Sequence, residues 1–151
     1  MNKSAQYLAG LIDGDGSILI VRRDRKRATT GDRYRGISFE IVVKIGGETN
    51  HLNVLRELWD DIGYIWTRKR KGQRHLSEWI ISGNNARYLL PKINKHLILK
   101  VKQGYNALSF PQCKSRWDAT PKFRKEQTRR WKLQKQLNSR VGRGKRGSIW
   151  Q

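Results

Sequence analysis

The sequence predicts an α+β protein in which helices cover one face of a twisted antiparallel β-sheet. The first observation is the order of the patterns, which runs helix, two strands, helix, two strands and then further helices. The second is the stretch 36–45, where Ile37, Phe39 and Ile41 alternate with Ser38 and Glu40. Such alternation buries one face of a sheet and leaves the other polar and open to a ligand.

Each element follows from a local pattern. Asn2 or Ser4 can cap a first helix, and Gly14 or Gly16 can end it. Residues 17–23 and 36–45 are typical of strands, and residues 50–62 of an amphipathic helix. The stretches 64–70 and 75–82 predict a hairpin, followed by helices over 84–97, 100–110 and 122–138. Pro91 is expected to split or kink the first of these three helices.

Length and charge limit the function classes. The 151 residues predict one domain over 1–138, followed by a basic Gly- and Arg-rich tail over 139–151. Thirty-three Lys and Arg against 12 Asp and Glu give a formal net charge of +21. This imbalance favours an anionic partner, with nucleic acid as the leading candidate.

The remaining composition makes a disulfide framework or a membrane protein an unlikely interpretation of the chain. Cys113 is the single cysteine, which excludes an intramolecular disulfide and a cysteine-based metal site. The apolar run at 7–12 is too short for a signal peptide, and no stretch is long and apolar enough to span a membrane. We therefore expect a soluble intracellular protein, in a prokaryotic cytoplasm or an organelle.

The stretch Leu8–Gly16 reads LAGLIDGDG and carries the chemistry. It begins as a helix of small and apolar residues and ends in Asp13 and Asp15. Carboxylates at the C-terminal end of a helix oppose its macrodipole, and a divalent cation can compensate them. Gly10 and Gly14 are four residues apart, which allows a second helix backbone to approach closely. The motif therefore indicates metal-assisted chemistry on a polyanion.

This stretch resembles the signature of LAGLIDADG homing endonucleases, with Gly14 as its one departure from the name motif. LILKVKQ at 97–103, the hairpin residues Trp66, Arg68 and Arg70 followed by Glu78, and TPKF at 120–123 resemble the single-motif, homodimeric branch. The resemblance implies a DNA-binding saddle with the motif helix at the dimer interface. It also implies an intron-encoded homodimer that cuts both strands of a long pseudo-palindromic duplex with Mg²⁺; Mn²⁺ and Ca²⁺ are alternative occupants of the metal site.

The resemblance also implies the catalytic residues. Asp15 matches the metal-binding acid, and Gly14 adds access to its backbone carbonyl. Lys102 matches the family's catalytic lysine, with Lys100 as its competitor. The stretch EIVVKIGG lacks the glutamine often found late in the second strand, so Lys44 is the candidate replacement and Glu40 the alternative. Two motif helices would pack through residues Ala9, Gly10 and Asp13, and Asp13 is expected to be mainly structural.

Basic and polar strand residues are candidates for the DNA interface. Arginine can bind guanine edges bidentately and Glu40 can accept from cytosine, while other residues contact only phosphates. For Trp66 two roles are possible from the sequence: a contact in a DNA groove, or a buried side chain that fills a hydrophobic site. The full set of predicted DNA-binding residues is Arg22, Arg25, Arg33, Arg35, Ser38, Glu40, Arg68, Arg70, Arg74, Lys100, Arg140, Arg143 and Lys145.

Three other functions remain open at this point. The chain could be an RNA-binding intron maturase of the same fold, with intron RNA as its partner. It could be a DNA-binding regulator that has lost catalysis. It could also be an unrelated basic RNA-binding protein that matches the motif by chance, although the order of helices and strands argues against this.

Overall fold

The computed structural model of the protein describes residues 3–25, 36–69, 71–72, 76–112 and 120–142. Its elements, in chain order, are α1 (Lys3–Asp15), β1 (Gly16–Arg25), β2 (Gly36–Gly47), α2 (Thr49–Leu58), β3 (Tyr64–Arg68), β4 (Leu76–Ser82), α3 (Gly83–Ile93), a 3₁₀ helix (Asn94–His96), α4 (Val101–Leu108) and α5 (Pro121–Gly142). The predicted α+β class is confirmed.

The four strands form one antiparallel sheet in the order β1-β2-β4-β3, so β1 and β3 are the edge strands. Ile18 lies opposite Val43, and Ile45 lies opposite Trp79. These four side chains are buried and share the inner face of the sheet. The inner face packs against the helices in a single apolar core, to which α1 contributes Leu8 and Ile12.

The outer face of the sheet carries the alternate residues of each strand. Lys44 lies opposite Ser17 on β1 and Ile80 on β4, and Trp66 lies opposite Glu78. The described helices pack on the inner face, so none of them covers this mixed polar, basic and apolar surface. It is defined here as the outer face, and it includes Ser38, Glu40, Lys44, Glu78, Trp66 and Arg68.

Three helix ends differ by four residues from the sequence expectation, and the first is that of α2, which ends at Leu58 rather than at Ile62. Pro91 lies within α3, which ends at Ile93 and passes directly into the 3₁₀ helix. Helix α5 continues to Gly142, so it includes the first four residues of the predicted tail. Among the helices in the described part of the chain, none is both long and apolar enough to cross a membrane.

Candidate active site and nucleic-acid surface

Helix α1 places the acidic end of the motif at the start of the sheet. Ala5, Leu8, Ala9 and Ile12 recur at helical spacing and are buried in the core. Their burial fixes the helix, and β1 begins directly after Asp15. Ala9 is 0% exposed within one subunit, so the expectation that its side chain contacts a partner helix is corrected. The helix turns that side chain inward.

Asp13 is held by the chain segment that precedes α4. Its two carboxylate oxygens accept hydrogen bonds from the backbone N–H groups of Ile98 (2.6 Å) and Lys100 (2.9 Å). Hydrogen bonds to a charged acceptor are stronger than neutral ones. Asp13 therefore joins the end of α1 to the segment 97–100.

Lys100 completes this junction from the other side. Its ammonium group donates to the backbone carbonyls of Ile12 (2.6 Å) and Asp13 (2.5 Å). These carbonyls belong to the last turn of α1, where a cation offsets the helix dipole. Burial lowers the pKa of the Lys100 ammonium, and the nearby Asp13 and Asp15 carboxylates oppose that shift. We call this arrangement the Asp13–Lys100 clamp.

The clamp corrects one sequence expectation about the lysines. Lys100 is only 6% exposed and its ammonium is already bonded to α1, so the subunit does not present it as a DNA contact. Lys100 is the lysine that bonds to the end of the motif helix. Lys102 lies on the exposed side of α4, and its expected catalytic role stays a prediction. The sequence could not separate the two lysines, because the end of the 97–100 segment was not predictable to within two residues.

Asp15 differs from Asp13 in being exposed. Across the described part of the chain, no hydrogen bond or ion pair engages its carboxylate. The same part of the chain contains no group of three or more His, Cys, Asp or Glu side chains that could hold a metal ion. One subunit therefore offers an open carboxylate at the α1 tip rather than a complete metal cage.

The open side of α1 is lined by small and apolar residues. A Cβ atom added to Gly10 or Gly14 would meet nothing within 4 Å. Beside this face lies a cavity of about 520 Å³ that reaches Asp15 and is bordered by Tyr7 and Leu58. Leu58 is 64% exposed. Packing within the described part of one subunit explains neither the two glycines nor the exposed apolar side chains.

Glu40 and Lys44 both lie on the outer face, but in different surroundings. Glu40 forms an ion pair with Arg23 at 2.8 Å. Lys44 is half-buried beside Ser17, two residues after Asp15. Ser38 also lies on the outer face, where its hydroxyl donates to the Arg23 carbonyl at 3.5 Å. Lys44 is thus the basic side chain of β2 nearest in register to the α1 tip.

Arg22 and Arg23 lie on opposite sides of β1. Arg22 pairs in register with Phe39, on the inner side of the sheet, and its guanidinium lies 5.6 Å from the centre of the Trp131 ring. Arg22 was predicted to contact DNA but does not lie on the outer face, whereas Arg23 lies on that face and was not among the predicted residues. Strand alternation from Ile18 and Ile20 would have identified Arg23, but Leu19 and Val21 concealed the alternation.

On the far edge, Trp66 and Arg68 share the outer face of β3. The Arg68 guanidinium lies 5.7 Å from the centre of the Trp66 ring. Trp66 is 43% exposed, which resolves the open alternative against a buried plug. A flat aromatic ring carrying a cation is well suited to contact with base edges or phosphates.

Several predicted DNA-binding residues lie outside what the structure describes. For Arg25 and Arg140, the structure describes the backbone, as part of β1 and α5, but not the side chain. For the other residues of this group, it describes neither. They stay predictions. The wholly undescribed ones are Arg33, Arg35, Arg70, Arg74, Arg143 and Lys145.

Comparison with known proteins decides the family. A family model described as LAGLIDADG endonuclease matches residues 8–115. The chain belongs to this family. A comparison with curated proteins gives no match.

Solved structures of LAGLIDADG proteins share the fold. The chain is similar to the homing endonuclease I-CvuI in complex with its target in the presence of calcium, with 20% identity, 96% of this chain and 85% of the other covered, and a TM-score of 0.63. It is also similar to the archaeal intron-encoded homing endonuclease I-Vdi141I complexed with DNA, with 18% identity, 89% and 82% coverage, and a TM-score of 0.60. For the LAGLIDADG homing endonuclease I-LtrWI bound to target DNA, identity is 18%, coverage 86% and 43%, and the TM-score 0.65.

Proposed function

We propose that the protein is a site-specific homing endonuclease that is intron-encoded like I-Vdi141I. It binds a long, roughly two-fold symmetric duplex as a homodimer and cuts one phosphodiester bond in each strand with Mg²⁺. The observation that carries this proposal is the different state of the two motif acids. Asp13 is used by its own subunit, whereas Asp15 is exposed at the helix tip beside the sheet.

The donor set at the tip fits a hard divalent cation. The Asp15 carboxylate and the Gly14 backbone carbonyl are oxygen ligands, which Mg²⁺, Mn²⁺ and Ca²⁺ accept. Because one subunit offers so few ligands, phosphate oxygens and water would supply the others. When bound, such a cation acts as a Lewis acid on the phosphate and makes water a stronger nucleophile. The presence of calcium with I-CvuI supports divalent-cation use here.

Lys100 acts in this proposal as a positioning residue. Its ammonium holds the last turn of α1, so it fixes the direction in which Asp15 leaves the helix. Its positive charge also lies close enough to Asp15 to interact electrostatically. Lys44 is the proposed polar helper on the sheet side, where it can donate to a phosphate or a water. Lys102, on the exposed side of α4, is the proposed catalytic lysine, where it can stabilise charge on the phosphate.

The homodimer is supported by the open side of α1. Gly10 and Gly14 leave space that a second α1 can fill, and Asp13 lies at the end of the same surface. Exposed Ile98 and Leu99 (80% and 65%) lie beside it, in the segment that the Asp13–Lys100 clamp holds. The match to 43% of the I-LtrWI chain is consistent with two copies of this unit making one enzyme. A dimer also supplies the second Asp15 that double-strand cleavage requires.

The outer face is the proposed DNA surface. A twisted two-stranded ribbon fits a major groove, and this face carries Arg23, Lys44 and Arg68. The apolar side chains between them suit contact with thymine methyl groups. The tail residues Arg143 and Lys145 are proposed to contact phosphates, as their charge and glycine-rich surroundings suggest.

A cleavage selection tests the function. The wild-type protein is incubated with a library of duplex sites, with Mg²⁺ and with EDTA, beside Asp15→Asn and the control Asp61→Asn. Asp61 is an exposed acid whose positive φ of 54° asparagine tolerates. We expect metal-dependent double-strand cuts from wild type and Asp61→Asn only. Failure of wild type to cut any site would refute the nuclease, and normal cutting by Asp15→Asn would refute the site.

A further inference from the structure

Helix α5 exposes an unusually basic face. Its sequence contains eight Lys or Arg and one acid, Glu126. The Glu126 carboxylate is bound by Arg129 at 2.7 Å and Arg130 at 2.9 Å, which lowers its pKa to about 2. The exposed cations, defined here as the basic face of α5, are Lys122, Arg124, Lys125, Arg129, Lys132 and Lys135.

This arrangement works against the stability of the helix. Lys122 and Lys125, and likewise Lys132 and Lys135, are like charges three residues apart, and each such pair costs roughly 0.2–0.5 kcal/mol. Lys122 and Arg124 also lie in the first turns, where the helix dipole disfavours positive charge. Within the described part of the subunit, Arg129 and Lys135 are the members of this face whose side chains have a partner, namely Glu126 and the Trp131 ring. An anionic ligand on this face would remove the repulsion.

The opposite side of α5 is fixed by a buried amide network. Gln134 is 1% exposed, and its amide donates to the Ile18 carbonyl of β1 at 2.7 Å while accepting from Asn106 of α4 at 2.8 Å. Asn138 donates to the same Ile18 carbonyl at 3.0 Å. Because both sides of the Gln134 amide are used, the helix is held in one rotation against the edge strand. Its basic face is therefore held in one direction as well.

The cations continue from the outer face around the β1 edge onto α5. Arg23 lies on the outer face, and its neighbour Arg22 turns to the inner side over Trp131. The Lys135 ammonium lies 4.2 Å from the centre of the same Trp131 ring. Arg124, Trp131 and Lys135 are spaced seven and four residues apart, so they follow one side of the helix. A duplex that lies on the outer face and extends past β1 meets this stripe.

We propose that the basic face of α5 binds the phosphate backbone of duplex DNA flanking the cleavage site. The inference rests on the proposed function, because it takes the outer face as the place where the duplex lies. Duplex DNA is favoured over RNA by the continuity of charge between that face and α5. The contacts are to phosphates, so they add affinity and salt dependence without adding sequence preference.

The test compares two double variants that remove the same charge. Lys132→Gln/Lys135→Gln removes two cations from α5, and Lys92→Gln/Lys95→Gln removes two exposed cations elsewhere. The control is matched in detail, because Lys92 lies over an aromatic ring, Tyr88, as Lys135 lies over Trp131. Dissociation constants are measured in EDTA at several salt concentrations on three ligands: a duplex site selected by binding, the same site with flanking duplex, and a structured RNA. Melting curves verify that both variants are folded.

For the flanked duplex, we expect the α5 variant to make the negative slope of log K against log salt shallower by about 2 per subunit, because each of the two lost phosphate contacts contributes about 0.9. The slope on the unflanked site and both slopes of the control should stay at wild-type values. Equal losses in the two variants, an equal loss on the unflanked site, or weakened binding of structured RNA alone would overturn the proposal. If wild type binds DNA but never cuts it, the proposed nuclease function is refuted, while the salt slopes of the two variants can still be compared. Normal cutting with unchanged slopes refutes only the role of α5.

Discussion

The two acids of the motif should have separable roles, and replacing each by asparagine tests this. Asp13→Asn keeps the side-chain shape but removes one of two acceptor oxygens and the negative charge. The new amide N–H₂ then faces a backbone N–H of Ile98 or Lys100, where two donors meet. Asp15→Asn changes an exposed side chain for which the described part of the chain shows no hydrogen bond. We expect the first variant to weaken folding and the second to abolish cleavage.

The magnitude for Asp13 follows from its contacts. A hydrogen bond to a charged group contributes roughly 1.5–3 kcal/mol, and Asn can retain only one of the two. Because Asp13 is half-buried, we take the lower end and expect a loss of about 2 kcal/mol in the free energy of unfolding. For a chain of this size the melting temperature should fall by about 4–8 °C. Asp15→Asn removes a negative charge from a helix C-terminus, which should change stability by less than about 1 kcal/mol.

The assay pairs denaturant unfolding with metal-dependent cleavage of the selected site. Protein concentration is kept equal, because a dimer's stability depends on it. Asp13→Asn should be less stable, yet cut measurably below its melting temperature. Asp15→Asn should melt like wild type and cut at least about 100-fold more slowly, which corresponds to about 2.7 kcal/mol in the barrier. Equal destabilisation by the two variants, or a larger loss for Asp15→Asn, would refute the division of roles.

Three further outcomes are expected. Gly10→Ala should raise the stability of the isolated subunit by up to about 1 kcal/mol, because its Cβ would meet nothing within 4 Å, but it should weaken dimerisation in sedimentation. Gly16→Ala should cost roughly 1–3 kcal/mol of stability, because its Cβ would lie 2.6 Å from the Ile12 Cα. A Gly16→Ala variant more stable than Gly10→Ala would contradict this packing. Gln134→Leu should cost about 2–3 kcal/mol in urea unfolding by leaving the Ile18 carbonyl and Asn106 without this partner; a neutral result would count against the network. Burial lowers the pKa of the Lys100 ammonium in the folded protein. Between this lowered pKa and the ordinary value of 10.5, the unfolded chain therefore binds more protons than the folded one. The free energy of unfolding of wild type, relative to that of Lys100→Met, should rise as the pH increases across this range. A flat difference would show that burial does not disfavour the ammonium.

The order of helices and strands was predictable because each hydrophobic pattern fitted either a helix or a strand, but not both. The alternation in 36–45 defined β2, and the apolar spacing in Leu8–Ile12 defined the buried side of α1. The same patterns could not fix which residues face outward where both faces are apolar. In β1, four consecutive apolar residues hid the alternation, so Arg22 rather than Arg23 was predicted to contact DNA.

The exposed position of Asp15 at the end of α1 was predictable, whereas the positions of its neighbours were not, because contacts over a long sequence separation decide them. Lys100 and the end of α1 are 88 residues apart along the chain, and no local pattern shows that they meet. Ala9 was expected at a helix–helix interface because it is small. The structure uses its small size inside the subunit instead, and Gly10 and Gly14 carry the open surface.

The end of α1 explains why the motif tolerates acids where helices usually disfavour them. Asp13 is stabilised by two backbone N–H groups, and the Lys100 ammonium neutralises the carbonyls that make this end negative. The Lys100 ammonium of the clamp therefore compensates both the negative end of the helix dipole and the Asp13 carboxylate. Among the described residues, Asp15 gains only the more distant attraction of Lys100, so its charge is available to a ligand. The proposed cation, shared with a phosphate, would match both this charge and the basic surface around it.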